Sequence, residues 1–251
     1  MKKELIVFDL DGTLEESKMP IDREMAVLLL KLLEKKKVAV ISGLQFELFK
    51  EQIMDQFESP PKDSLKNLYL FPNCGSRFFR FNGGSWVKVY ARDLSKNEIM
   101  KIFEAFDKAL PNTSYVKPKK TYGEIIENRG SQITFSAFGQ RTPIEIKKVW
   151  DPDHKKRAEI KRELDKYLSD FEVKISGTTS IDINKKGLDK AYGIRQMEKY
   201  LGLKKEGMLF IGDALFEGCN DYPVKEMGVD CIQVAGPNDT KLVIKDLLRK
   251  S

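Results

Sequence analysis

The chain has 251 residues, 41% hydrophobic and 33% charged, enough to bury a core as one large domain or two modest ones. Its net charge of +6 is spread over separate lysine clusters (35–37, 117–120, 155–157, 204–205) with acids between them, which argues for a solvated surface and against a nucleic-acid partner. No run approaches the roughly 20 apolar residues of a membrane span. The apolar stretch at 5–8 is too short for a signal peptide, and three scattered cysteines with one histidine suit neither a disulfide framework nor a His-rich zinc site. The expected location is the cytoplasm, with no membrane partner.

Residues 5–8 form a short apolar run of the kind a buried parallel strand shows, and a loop with Asp9, Asp11 and Gly12 follows. A helix is predicted over 22–36, with Met25, Leu28, Leu29, Leu32 and Leu33 on one face. Residues 38–41 read as a second strand ending at Ser42-Gly43. A helix through Phe46, Phe49 and Ile53 comes next, and 68–71 is a third strand. This alternation is the rhythm of an open parallel α/β sheet.

Asn82-Gly83-Gly84 breaks the pattern. Beyond it come a strand at 86–90 and a helix at 95–110, capped by Ser95 with Glu98 three residues on and Ile99, Ile102, Phe103 and Phe106 facing inward. Strands near 123–127 and 132–135, a charged helix near 153–168, and strands at 171–175 and 180–183 complete this section. From Leu188 the first rhythm returns: a helix through Ala191, Ile194, Met197 and Leu201 ending at Gly202, strands at 208–211 and 230–234, and a helix near 241–248. The expectation is an α/β protein, with a Rossmann-like parallel-sheet core from residues 1–82 and 188–251 and an inserted α+β cap domain over 83–187.

Polar groups follow the strand ends: Asp9 and Asp11, Ser42, Asp213, and Lys190 at a helix start. Ligands of open α/β sheets bind beyond the carboxyl ends of the strands, so all of these point to one rim. Asp9-Leu10-Asp11-Gly12-Thr13 offers a metal ligand, a nucleophile toward phosphate and backbone amides for an anion. The plainer alternative is a helix cap with a turn glycine. Ser42 reads equally as a cap, and Lys190 competes with its neighbours Lys185 and Lys186. Phe78, Phe79, Phe81, Trp86 and Tyr90 read as hairpin core rather than a base-stacking platform. His154, in the run Asp153-His154-Lys155-Lys156-Arg157, reads as exposed.

Phe8-Asp9-Leu10-Asp11-Gly12-Thr13-Leu14 together with Gly212-Asp213 resembles the signatures of the haloacid dehalogenase superfamily. The large insert between Ser42 and Lys190 resembles its large-cap (type IIB) branch. Within it, the stretch Gly177-Thr178-Thr179-Ser180-Ile181-Asp182-Ile183 followed by Gly187-Leu188-Asp189-Lys190 is similar to the eukaryotic-type phosphomannomutases, as is Glu217 to Tyr222.

The resemblance implies Asp9 as nucleophile, Asp11 as general acid then base, Ser42 on the transferring phosphoryl group, and Lys190 as the required positive charge. It also implies Mg²⁺ held by Asp9, Asp11, Asp213 and Asp221, hard oxygen donors that suit this ion. Arg129, Gln140, Arg141, Ser180, Asp182, Lys18 and Asn220 fall at or near substrate-binding positions. Gln140 and Lys18 stand where the mutases carry arginines, and Ser42 where they have glycine. A mutase must grip the phosphate that is not reacting, a task for bidentate arginines. The expected function is thus an Mg²⁺-dependent sugar-phosphate phosphatase working through an aspartyl-phosphate. A phosphomannomutase is the alternative and a non-catalytic phosphosugar-binding protein the second. The resemblance implies a monomer or a cap-mediated homodimer.

Overall fold

A computed structural model describes residues 3–16 and 19–250 and divides the chain into two compact units, Met1–Ala91 with Leu188–Ser251, and Arg92–Gly187. Lys18, an expected substrate contact, lies outside the described residues. The first unit opens with β1 (Leu5–Phe8), α1 (Arg23–Leu33), β2 (Lys37–Ile41), α2 (Phe46–Gln52), α3 (Lys62–Leu65) and β3 (Leu68–Phe71). A hairpin of β4 (Arg77–Asn82) and β5 (Ser85–Ala91) follows. The second unit holds α4 (Lys96–Ala109), β6 (Ile126–Asn128), β7 (Gln132–Ser136), α5 (Ile144–Trp150), α6 (Lys155–Asp165), β8 (Phe171–Ser176) and β9 (Ser180–Lys185). The chain returns to the first unit through α7 (Lys190–Leu201), β10 (Met208–Gly212), α8 (Tyr222–Glu226), β11 (Asp230–Gln233) and α9 (Pro237–Arg249).

The first unit is built on a seven-stranded sheet of order β11-β10-β1-β2-β3-β4-β5. Every side chain of β1 is buried, because the strand pairs in parallel with β2 on one side and β10 on the other while helices cover both faces. The strand order reverses at β1, which makes its carboxyl end the switch point where ligands of such sheets bind. On one face α1 turns Met25, Leu28, Leu29, Leu32 and Leu33 inward, and the Asp22 side chain accepts the Met25 N–H at 2.8 Å to start the helix. On the other face, α7 comes so near the turn after β3 that a Cβ on Gly75 would lie 2.5 Å from Gly193 Cα. Two glycines in contact thus set where α7, and Lys190 at its first turn, can lie.

Two expectations need correction here. The turn Asn82-Gly83-Gly84 is not the end of the core. It joins β4 to β5 antiparallel, and β4 pairs with β3, so the first unit runs through Ala91 rather than stopping at residue 82. The aromatic side chains explain it: Phe78 stacks on Phe71 of β3, and Phe79 on Phe46 of α2.

The second unit has its own antiparallel sheet, β6-β7-β9-β8. Alternation along β7 and β9 puts Ile133, Phe135, Ile181 and Ile183 into a core with α4 and α6. It leaves Gln132, Thr134, Ser136, Ser180 and Asp182 on the opposite face. In α4 the predicted capping box forms, Ser95 N–H to Glu98 at 2.6 Å and Glu98 N–H to Ser95 Oγ at 3.3 Å. The second correction concerns its inner stripe, which is Ile102, Ala105, Phe106 and Ala109. Phe103, expected inside, is 36% exposed because it lies one residue round the helix from that stripe.

Candidate active site

At the end of β1, Asp9 continues the strand's pairing through its N–H to Ile211 O (2.9 Å), and its side chain is buried at the rim. Lys190, the first residue of α7, is equally buried, and its Nζ donates to Asp9 Oδ1 and, at 2.5 Å, to Asp221 Oδ1. Asp189 sets this position by capping α7 through the Tyr192 N–H at 2.8 Å. The second oxygen of Asp221 accepts the Ala214 N–H at 3.2 Å, so the loop from Asp213 to Asp221 folds back onto its own start.

The pairing of Lys190 selects it over Lys185, whose Nζ meets Glu98 at 3.0 Å in the second unit. Carboxylate oxygens of Asp9, Asp213 and Asp221 all lie within 4.8 Å of one another. Thr13 Oγ1 donates to Asp213 Oδ1 at 3.3 Å, and Ser42 Oγ donates to Asp11 Oδ2 at 3.5 Å while accepting the Leu44 N–H at 3.2 Å. Ser42 therefore closes a turn in the loop before α2, whose own N-cap is Gln45, and is a neighbour of Asp11 at once. Gly12 turns the chain at φ +77°, and a Cβ there would sit 2.8 Å from Asp213 Oδ2.

Burial pushes the Asp9 carboxyl up to about 8, with Lys190 opposing and Asp221 adding to the shift. Burial also works against the Lys190 charge, but Asp9 and Asp221 outweigh it and hold its pKa above the usual lysine range. One ammonium between two buried carboxylates leaves the cluster short of positive charge, with Asp213 beside it. The all-oxygen donor set matches a hard divalent cation and offers no nitrogen or sulfur for zinc.

In the second unit, Arg129 Nε donates to Glu127 at 2.8 Å with its side chain 7% exposed. With the Gln140 amide turned oxygen toward Arg129, that oxygen accepts from Nη2 at 3.2 Å and its nitrogen donates to Glu127 at 2.9 and 3.3 Å. Ser180 Oγ lies 3.1 Å from Ser136 Oγ, and Asp182 accepts from Thr134 at 2.7 Å. Arg141 and Asn220 are exposed. Sequence reasoning missed Glu127 and the bridging of Asp9 and Asp221 by Lys190. It also missed the buried pair that Arg157, from a basic cluster expected to be solvated, makes with Asp151, while His154 is exposed as expected. The spacing carried a signal for the last: Arg157 shares a helical face with Ile160 and Leu164.

Comparison with known proteins gives one family. A model of the haloacid dehalogenase-like hydrolases matches residues 6–223. A phosphomannomutase of Encephalitozoon cuniculi is 30% identical over 258 residues, covering 99% of this chain and 95% of the relative. A phosphomannomutase of Saccharomyces cerevisiae is 25% identical over 256 residues, covering 97% and 93%. Among solved structures, a haloacid dehalogenase-like hydrolase from Bacteroides thetaiotaomicron superposes with a TM-score of 0.65 at 16% identity over 98% of this chain and all (100%) of that one. An N-terminally truncated, IMP-bound IMP-nucleotidase of Plasmodium falciparum gives 0.70 at 18% over 99% and 68%. With the buried Asp9 at the switch point and a family match over most of its length, this chain is an enzyme of the haloacid dehalogenase-like hydrolase family.

Proposed function

We propose that the protein is a cytoplasmic, Mg²⁺-dependent phosphotransferase that interconverts mannose 1-phosphate and mannose 6-phosphate through an aspartyl-phosphate on Asp9. The observation that carries the chemistry is the buried Asp9, held at one oxygen by Lys190 at the switch point beside Asp213 and Asp221. In this reading the other oxygen of Asp9 attacks phosphorus, and Asp11 protonates the leaving sugar oxygen. The ester attacked is one of the two on a hexose 1,6-bisphosphate, which leaves as a monophosphate; phospho-Asp9 then passes its phosphate to the free hydroxyl of a sugar monophosphate, whose proton Asp11 takes, and the bisphosphate so formed turns over to give its other phosphate to Asp9. Ser42, whose one hydroxyl hydrogen faces Asp11 in the structure, would turn it to the transferring phosphoryl group, and Lys190 balances the charge on Asp9. Asp9, the backbone carbonyl of Asp11, Asp213 and Asp221 would hold Mg²⁺, which offsets repulsion between an anionic nucleophile and an anionic ester. Arg129, Ser180 and Asp182 would hold the part of the sugar phosphate that does not react.

The names of the relatives favour this rearrangement over the hydrolysis expected from the sequence. Hydrolysis stands as the second reading on one observation: Arg129 is already engaged by Glu127 and Gln140, and Gln140 brings no charge to a second phosphate.

Turnover with Mg²⁺ on both mannose phosphates, with and without a hexose 1,6-bisphosphate activator, decides between them. Activator-dependent exchange of isomers is expected. Release of inorganic phosphate without exchange would replace the first reading by the second, and turnover that survives Asp9→Asn would remove both.

A further inference from the structure

Arg157 is 1% exposed and Asp151 2%, and the arginine is the largest fully buried side chain of the second unit. Its Nε donates to Asp151 Oδ2 at 2.7 Å and Nη2 to Asp151 O at 3.3 Å. Nη1 reaches further, to Ser176 O at 3.3 Å and Gly177 O at 2.5 Å. Asp151 in turn accepts the N–H groups of Lys156 (2.9 Å) and Arg157 (3.2 Å), which ties the start of α6 into the same cluster.

A buried ion pair is no gain in stability by itself, because desolvation offsets the attraction and an apolar pair of like volume often does as well. What an apolar pair cannot do is hold two carbonyls of a turn. The carbonyls that Arg157 holds belong to the turn joining β8 to β9, and Gly177 there has φ +49°. The far side of that turn is fixed too, by the Ala137 N–H on Thr179 O at 3.1 Å. The next residues along β9 are Ser180 and Asp182, whose side chains stand on the polar face of the sheet against Ser136 and Thr134. A guanidinium fork satisfies this geometry, and a lysine ammonium, a point donor on a flexible stem, does not.

We infer that Arg157 is a positioning residue: by clamping the β8–β9 turn it holds Ser180 and Asp182 in the placement that grips the sugar. The inference rests on the proposed sugar-binding role of those two residues.

Kinetics of Arg157→Lys and Asp151→Asn, with Ser180→Ala beside them, test it on mannose 1-phosphate and on p-nitrophenyl phosphate, a small ester without a sugar. Arg157→Lys keeps a cation beside Asp151, and thermal unfolding measures how much of each variant is folded. Both clamp variants are expected to raise KM for mannose 1-phosphate about tenfold or more, with kcat within about twofold and p-nitrophenyl phosphate turnover unchanged. An unaltered sugar KM, or equal losses on both esters that follow the folded fraction, would overturn the inference and leave the pair a structural one. Ser180→Ala without effect on the sugar KM would instead remove the sugar-binding reading on which it rests.

Discussion

Asp9 is asked to be an anion in a place that disfavours one. Burial lifts its pKa from the usual 3.8 to about 8, although Lys190 touches it. A folded-state pKa above the unfolded value stabilises fully below the unfolded pKa, and that contribution is lost as pH rises through the folded one. In EDTA, therefore, the share of stability due to Asp9 declines between about pH 4 and about 8. Mg²⁺ binding to the ionised form is expected to raise Tm more at the upper end of this window than at the lower. Differential scanning fluorimetry at several pH values with and without Mg²⁺ checks it, and an equal shift throughout would speak against Asp9 as a ligand. Gly12 supports the same cluster. Gly12→Ala would place a methyl group within 2.8 Å of Asp213 in a backbone region unfavourable to alanine. A stability loss of about 1–2 kcal/mol in urea and a much larger proportional drop in kcat than in Mg²⁺-free stability are expected.

Asp9 and Asp213 were legible because each follows an apolar strand directly, and adjacency along the chain is what a sequence displays. The bond from Lys190 to Asp221 was not, since it depends on where α7 lies over the sheet, and that is set by the contact of Gly75 with Gly193. Arg157 was hidden by its neighbours, a charged run whose helical register alone marks it as inward.

Among the elements, α4 carries the signal for its start most plainly. Ser95 and Glu98 cap it reciprocally, so Ser95→Ala is expected to cost about 1 kcal/mol in chemical denaturation. No loss would mean that packing of Ile102 and Phe106 alone fixes the start of the helix. The short elements were less legible. The seven residues of α5 follow Pro143 and form no long apolar stripe, and β6 has three residues where five were expected. The β4–β5 hairpin was recognised as a hairpin, but the expected boundary after residue 82 cut through it and gave β5 to the inserted unit. Its turn residues state that the chain reverses, whereas the stacking of Phe78 on Phe71 decides which sheet it joins.

At the scale of the molecule, the second unit is one continuous segment with a core of its own from α4, α6 and the inner face of its sheet. Residues 92–187 made alone are expected to fold cooperatively, with sigmoidal urea unfolding by circular dichroism and dispersed amide resonances. A non-cooperative fragment would show that its core is completed by the rest of the chain. Among the described residues, no helix is long and apolar enough to cross a membrane.

The first unit has the opposite property, since its central strand pairs with one far along the sequence. Leu5 to Phe8 pair with Met208 to Ile211, so β1 cannot be enclosed on both sides until β10 has been synthesised. During that interval an all-apolar strand has an open edge available to the wrong partner. The hairpin β4–β5 and an inserted unit with a core of its own shorten the list of segments still searching when β10 emerges. On the ribosome, then, Asp9 is made well before Lys190, Asp213 and Asp221, and reaches its final environment only once all three have followed it.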